Sequence, residues 1–160
     1  MIFLNFLVLD GNSILNRSYY GIRVLSNKNG QTTNAIYGFL ITMQKLLSEV
    51  RPDAVAVAFD LPVPTFRHKM YSDYKSNRKK MPEELAQQIP ILKELLIAMG
   101  YKLVSKDGYE ADDILGTLAS YCEKNGHKCV IATGDTDSLQ LVSENVTVRI
   151  AKTKMGKPEA

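Results

Sequence analysis

The chain has 160 residues, of which 45% are hydrophobic and 23% charged, which argues against disorder and predicts one domain with a sizeable core. The two cysteines, Cys122 and Cys129, form no CxxC pair and favour a reducing, cytosolic compartment over a disulfide scaffold or a zinc site. The apolar start, MIFLNFLVLD, is too short to span a membrane and predicts a buried strand rather than a signal peptide.

Short apolar runs alternate with longer helical stretches along the chain. The runs FLVLD, AVAVAFD, YKLV, CVIATGD and VTVRI predict buried strands. The predicted helices cover 34–50, 82–99 and 110–125, and Gly100 and Gly126 stand where helices stop. We therefore expect a three-layer α/β/α domain with a mostly parallel central sheet, a prolyl loop at 62–64, and a frayed tail from residue 152.

Acidic residues fall where the predicted strands end or the next helix begins. They are Asp10, Asp60, Glu110, Asp112, Asp113, Asp135 and Asp137. Sites in open parallel sheets form at the carboxyl ends of the strands, so these seven side chains should converge on one edge. Each acid alone has an ordinary explanation as a helix cap, a loop acid or a complement to the helix dipole. The presence of the whole set on one edge favours a binding or catalytic site over seven separate structural roles.

Oxygen ligands without convergent Cys or His side chains favour Mg²⁺ or Mn²⁺ over zinc or copper. Several carboxylates around an open site fit two ions, an arrangement that suits hydrolysis of a phosphodiester bond. Asp135 and Asp137 can both project into such a site only if the backbone is extended or turning, which we expect Gly134 to permit.

A basic segment, FRHKMYSDYKSNRKKM, covers 66–81 and holds six Lys or Arg against one Asp, whereas the net charge of the chain is only +3. On a helix, one face would carry Arg67, Tyr71, Tyr74, Lys75 and Arg78. Cations neutralise phosphates and tyrosines stack on unpaired bases, so the segment predicts contact with nucleic acid. The alternative is a solvated surface helix or loop.

Four ordered stretches resemble the 5′ nuclease family, in particular the N-terminal 5′→3′ exonuclease domains of bacterial DNA polymerase I. They are LVLDGNSILNRSYY, AVAFD with TFRHKMYSDYKSNRKKMPEEL, GYEADDILGTLA and ATGDTDSLQLV. The resemblance covers nearly the whole chain. It implies a PIN-like, resolvase-like fold and a metal-dependent 5′→3′ exonuclease and flap endonuclease of DNA replication and repair. The implied partner is DNA with a 5′ flap, a nick or a free 5′ end.

The resemblance also implies roles for individual residues. Acids of the first metal site correspond to Asp10, Asp60, Glu110 and Asp112, and acids near the second correspond to Asp113, Asp135 and Asp137. Positions for phosphate handling and for a basic arch or clamp near 62–82 correspond to Arg17, Arg67, Tyr74, Lys75 and Arg78. A clamp over the 5′ strand implies selection of DNA structure rather than of DNA sequence.

Two departures from the family pattern bear on activity. Many relatives have GDKD where this chain has GDTD, so Thr136 removes a cation near the metals. The further aspartates and the helix-hairpin-helix region of the family would follow residue 160. We therefore expect 1–160 to be the N-terminal catalytic part of a longer bacterial, nucleoid-associated protein, weakly active alone, with a polymerase region as one continuation. A PIN-like ribonuclease and a non-catalytic DNA-binding module stay open as alternatives.

Replacing Lys75 and Arg78 together with Ala should weaken binding to 5′-flap DNA. The slope of log affinity against log salt should fall by about 2, since each phosphate contact contributes about 0.9. Binding isotherms over a range of salt concentrations measure the slope. The pair Lys124→Ala and Lys128→Ala removes the same charge outside the segment and should keep the slope. An unchanged slope in the first variant would make the segment ordinary surface.

Overall fold

The computed structural model describes residues 3–22, 28–60, 82–105, 111–150, 152–154 and 157–159. The helices are α1 (Gly11–Gly21), α2 (Asn34–Val50), α3 (Glu83–Ala98) and α4 (Ala111–Asn125), with a 3₁₀ helix at Thr136–Leu141. The strands are β1 (Asn5–Asp10), β2 (Ala54–Ala58), β3 (Lys102–Val104), β4 (Lys128–Thr133), β5 (Val146–Ile150), β6 (Lys152–Lys154) and β7 (Lys157–Glu159). Within these ranges, no helix has both the length and the apolar character needed to cross a bilayer.

In the described part of the chain, five parallel strands form one sheet in the order β3-β2-β1-β4-β5. The central strand is β1, and its Leu9 pairs with Val57 of β2 on one side and Ala132 of β4 on the other. The chain runs outward from β1 through β2 and β3, then returns to the opposite side of β1 for β4. Sheets of this kind bind ligands at the carboxyl edge where the strand order reverses, which here lies between β1 and β4.

Two hydrophobic cores lie on opposite faces of the sheet. Leu7 and Leu9 of β1 pack with buried side chains of α1, α2 and α3, whereas Val8 packs with buried side chains of α4. This alternation follows from the period of two in a strand, and it lets β1 bury apolar residues on both faces. The result is the predicted α/β/α layering.

The five predicted strands and three predicted helices are confirmed, with bounds that differ by a residue or two. Gly100 and Gly126 have φ of 88° and 73°, the left-handed conformation that glycine adopts at helix ends. The tail expected to fray carries a short antiparallel pair, β6 and β7. The basic segment, with Arg67, Tyr74 and the cations after them, lies outside the described residues.

The sequence reasoning missed α1, for which the stretch GNSILNRSYYG gives a weak helical pattern. Its buried residues are Gly11, Ile14, Leu15 and Ser18, so only two of them are large and apolar, which leaves a weak apolar pattern in the sequence. Asp10 precedes this helix as its N-cap, so the capping role considered for that acid is present.

Two helical glycines differ in how closely other atoms approach them. A Cβ on Gly38 of α2 would lie 2.6 Å from Cδ1 of Ile22 and 2.6 Å from Cβ of Ser18. A Cβ on Gly116 of α4 would lie 3.9 Å from its nearest neighbour, Cδ2 of Leu141. The α1–α2 contact thus requires a residue without a side chain at position 38.

Gly38→Ala should lower the free energy of unfolding by about 1–3 kcal/mol, because the added methyl overpacks the α1–α2 contact. Gly116→Ala is the matched control and should raise that free energy by up to about 1 kcal/mol, since alanine favours the helix and has room. Urea unfolding of both variants measures the difference. Equal stabilisation by the two substitutions would contradict the close approach at Gly38.

Candidate active site

Asp10 is the last residue of β1, and its side chain is only 3% exposed. One carboxylate oxygen, Oδ1, accepts a hydrogen bond from the backbone N–H of Ser13 at 3.3 Å. The other, Oδ2, accepts one from the hydroxyl of Thr133 at 2.9 Å. The first bond caps α1 and the second joins the ends of β1 and β4, so the carboxylate is fixed at the reversal of the strand order.

Burial raises the pKa of Asp10 from 3.8 to about 7, because removing the carboxylate from water disfavours its charged form. The hydrogen bonds from Thr133 and Ser13 act in the opposite direction, and repulsion from Asp112 and Asp60 raises the pKa further. These two repulsions show that Asp60 and Asp112 each lie within electrostatic range of Asp10. A cation between them would offset both the repulsion and the cost of burial.

Asp60 follows β2, and its backbone N–H donates to Oδ1 of Asn12 in α1 at 2.7 Å. Its own carboxylate accepts a hydrogen bond from the backbone N–H of Ala111, the first residue of α4. Asp60 therefore joins the end of β2 to the positive end of α4. The acids Asp112 and Asp113 lie in the first turn of that helix.

Ser13 and Arg17 of α1 hold the loop that follows β4. The backbone N–H of Gly134 donates to Oγ of Ser13 at 2.6 Å, and Nη2 of Arg17 donates to the carbonyl of Gly134 at 3.0 Å. A Cβ on Gly134 would lie 2.8 Å from Oγ of Ser13. The backbone after Gly134 is extended at Asp135 and then turns, as expected. Gly134 itself has no positive φ, so glycine is needed there for the close approach of Ser13.

Beyond Gly134, Asp135 has extended backbone and caps the 3₁₀ helix, since its side chain accepts from the N–H of Asp137 at 2.9 Å. Asp137 is exposed in the first turn of the same helix. The capping alternative is thus present for Asp135. A carboxylate has about four lone-pair sites, so a single cap bond leaves it able to bind a cation.

The structure brings Asp60 and Asp112 into electrostatic range of Asp10, but it does not place the three at ligating distance of one point. Among the described residues, no group of three or more acidic, His or Cys side chains stands at ligating positions. Glu110, predicted as a fourth ligand, lies outside the described residues. The oxygen-only donors at this edge fit a hard divalent cation in their chemistry.

Sequence reasoning did not single out Asn12, Ser13 or Thr133, which hold the acids in place. The available signal was local: Asn12 and Ser13 come two and three positions after the first acid, and Thr133 precedes Asp135 by two positions at the end of a predicted strand. The partners of these side chains depended on strand pairing: Asn12 meets the backbone of Asp60 because β1 pairs with β2, and Ser13 and Thr133 meet because β1 pairs with β4.

The chain is an open parallel α/β domain that carries acidic residues at the carboxyl edge of its sheet. The chain belongs to the family of 5′-3′ exonuclease N-terminal, resolvase-like domains, whose model matches residues 5–160. This membership confirms the resemblance inferred from the four motifs.

Named relatives support this family membership. DNA polymerase I of Caldicellulosiruptor bescii is 45% identical over 94% of this chain and 18% of its own length. The 5′-3′ exonuclease of Aquifex aeolicus is 46% identical over 88% of this chain and 49% of its own. A structure of the T5 5′-exonuclease with bound zinc has a TM-score of 0.68 at 21% identity, over 90% of this chain and 54% of that one, which confirms the fold. The chain thus spans half or less of these two curated relatives.

Asp10→Asn should stabilise the metal-free protein at pH 8 by up to about 4 kcal/mol while changing little near pH 4. The folded-state pKa lies above the unfolded value, so between 3.8 and about 7 the folded chain holds a proton that the unfolded chain has released. Raising the pH through this window therefore destabilises wild type, and asparagine removes that loss while keeping the cap.

Urea unfolding in a chelator at pH 4, 6 and 8 measures the effect. Asp53→Asn, at an exposed acid beside the opposite end of β1, is the control and should leave the wild-type pH dependence in place. Parallel stability profiles for wild type and Asp10→Asn would contradict the cost assigned to burying the carboxylate.

Proposed function

We propose that this domain is the catalytic part of a divalent-metal-dependent 5′→3′ nuclease that hydrolyses phosphodiester bonds in DNA. The observation that carries the proposal is the burial of Asp10 within electrostatic range of Asp60 and Asp112, at the carboxyl edge of a domain of this family. Keeping a buried carboxylate near two others is costly unless a cation binds between them. A site built at this cost is better explained by function than by stability.

We assign the metal sites of the complete enzyme to Asp10, Asp60, Glu110, Asp112, Asp113, Asp135 and Asp137, and the bound ions to Mg²⁺ or Mn²⁺. When bound, such ions activate a water molecule and stabilise the charge that develops on the phosphate. The protein's own contribution is to fix the carboxylates. The carboxylate of Asp10 accepts from the backbone N–H of Ser13 at 3.3 Å, and that of Asp60 accepts from the backbone N–H of the first residue of α4.

The substrate is DNA with a 5′ flap, a nick or a free 5′ end. A structure related in fold, the T5 flap endonuclease, was solved as a pseudo-enzyme-product complex with DNA and metal ions. In this chain, Arg17 lies beside the loop after β4 and uses one of its five N–H donors on Gly134, so its guanidinium is near enough to the edge to receive a phosphate. Arg67, Tyr74, Lys75 and Arg78 would contact the 5′ strand.

The relatives of the chain support a proposal for its cellular setting. Those named DNA polymerase I are bacterial proteins of which this chain matches less than a fifth. We infer that the domain works in the bacterial cytoplasm, at the nucleoid, in DNA replication and repair. A polymerase region in the same polypeptide is the continuation that these relatives favour.

Mn²⁺ should raise the thermal unfolding temperature of the 160-residue chain, because a ligand that binds only the folded state stabilises it by mass action. The stabilisation should reach about 2.7 kcal/mol at a hundred times the dissociation constant. Asp112→Asn should lose most of this response, and Asp53→Asn should keep it, since Asp53 lies beside the opposite end of the sheet. Equal responses in the two variants would contradict the assigned site.

Cleavage is measured in the same buffer under single-turnover conditions with enzyme in excess, so that weak activity is detected. A 5′-flap DNA should be cut only with Mn²⁺ or Mg²⁺ and not by Asp112→Asn, and a matched RNA flap should be cut more slowly. Preference for RNA would favour the ribonuclease alternative. Metal-independent DNA binding without cleavage would favour a non-catalytic module.

A further inference from the structure

The side chain of Thr133 joins two of the acids assigned above. It is fully buried at the end of β4, beside Asp10 at the end of the neighbouring β1. Its Oγ1 lies 2.9 Å from Oδ2 of Asp10, 3.1 Å from the backbone nitrogen of Asp135 and 3.3 Å from Oγ of Ser13. One hydroxyl therefore contacts the carboxylate before α1 and the backbone of the acid after β4.

The direction of these hydrogen bonds is fixed by chemistry. The N–H of Asp135 can only donate, so Oγ1 of Thr133 accepts from it. An ionised carboxylate can only accept, so the single hydroxyl proton of Thr133 points to Asp10. Oγ of Ser13 already accepts from the N–H of Gly134, which leaves its own proton for Thr133. The bonds run in one direction, from the loop after β4 to the carboxylate of β1.

This hydroxyl also sets the rotation of the Asp10 carboxylate. The terminal torsion of an aspartate is soft, so hydrogen bonds decide its orientation. Of the two partners described for Asp10, the Ser13 amide is at 3.3 Å and the Thr133 hydroxyl is at 2.9 Å. Each carboxylate oxygen has two lone-pair sites, so one bond to each leaves one site per oxygen for a cation.

We propose that Thr133 is a positioning residue that fixes the Asp10 carboxylate and the Asp135 backbone relative to each other, and so sets the affinity of the edge for a divalent cation. The inference rests on the proposed function, because it needs a cation that binds among these acids. Groups that hydrogen-bond metal ligands usually change metal affinity by about 10- to 100-fold when they are removed.

Two pairs of variants separate the hydroxyl from the rest of the side chain. Thr133→Val removes the hydroxyl at nearly constant shape, and wild type is its reference. Thr133→Ala and Thr133→Ser both lack the methyl and differ only in the hydroxyl, so this pair decides the question if valine prevents folding. Thr42→Val, at a buried threonine of α2, a helix that carries none of these acids, controls for loss of a buried hydroxyl in general.

Calorimetric titration with Mn²⁺, without DNA, should give binding about 10- to 100-fold weaker in Thr133→Val than in wild type. The same drop should separate Thr133→Ala from Thr133→Ser, and Thr42→Val should bind as wild type does. Hydrogen exchange, which needs no metal, should show faster exchange of the Asp135 amide in the variants without a hydroxyl. Loss of stability alone would speed exchange throughout the sheet rather than at the Asp135 amide alone, and it would not change the Mn²⁺ affinity of the folded chain.

Equal Mn²⁺ affinity of the Ser and Ala variants, or unchanged exchange at Asp135, would overturn the role of Thr133 and leave the proposed function standing. Failure of wild type to bind Mn²⁺ or cleave flap DNA would overturn the proposed function, and this inference with it.

Discussion

The arrangement at the carboxyl edge depends on burying one carboxylate at the end of the central strand. Asp10 is almost inaccessible to water because β1 has neighbours on both sides and helices over both faces. Its charge is disfavoured there, as its raised pKa of about 7 shows. The surrounding polar groups are arranged to make the ionised form tolerable: an amide of α1 on one oxygen and a hydroxyl of β4 on the other.

The strand order makes this arrangement possible. Because the chain leaves β1 for β2 on one side and comes back for β4 on the other, elements far apart in sequence meet at the end of β1. Ser13 and Arg17 of α1 then fasten the loop after β4, and Asp60 fastens the first residue of α4. The edge is thus held by hydrogen bonds between elements, and each element is in turn held by one of the two hydrophobic cores.

Several acids of this edge have a structural role in addition to the functional role proposed for them. Asp10 caps α1, Asp135 caps the 3₁₀ helix and Asp60 accepts from the N-terminal amide of α4. Each of these bonds would be a sufficient explanation for a single acid. A hydrogen bond from a backbone amide orients a carboxylate and still leaves it lone pairs for a cation. The structural bond is therefore compatible with metal binding by the same side chain. For this reason the capping roles do not count against the proposed metal site.

The sequence by itself determined the layering, the parallel sheet, the set of acids and the family. Buried parallel strands are nearly continuous apolar runs such as NFLVLD, helix ends carry glycine, and site acids follow strand ends, so these features are local and legible. Only the tertiary structure decided which groups hold the acids. The bond from Thr133 to Asp10 spans 123 positions and depends on the register of β1 with β4. The need for glycine at position 134 likewise comes from the approach of Ser13, a contact between elements that no local pattern encodes.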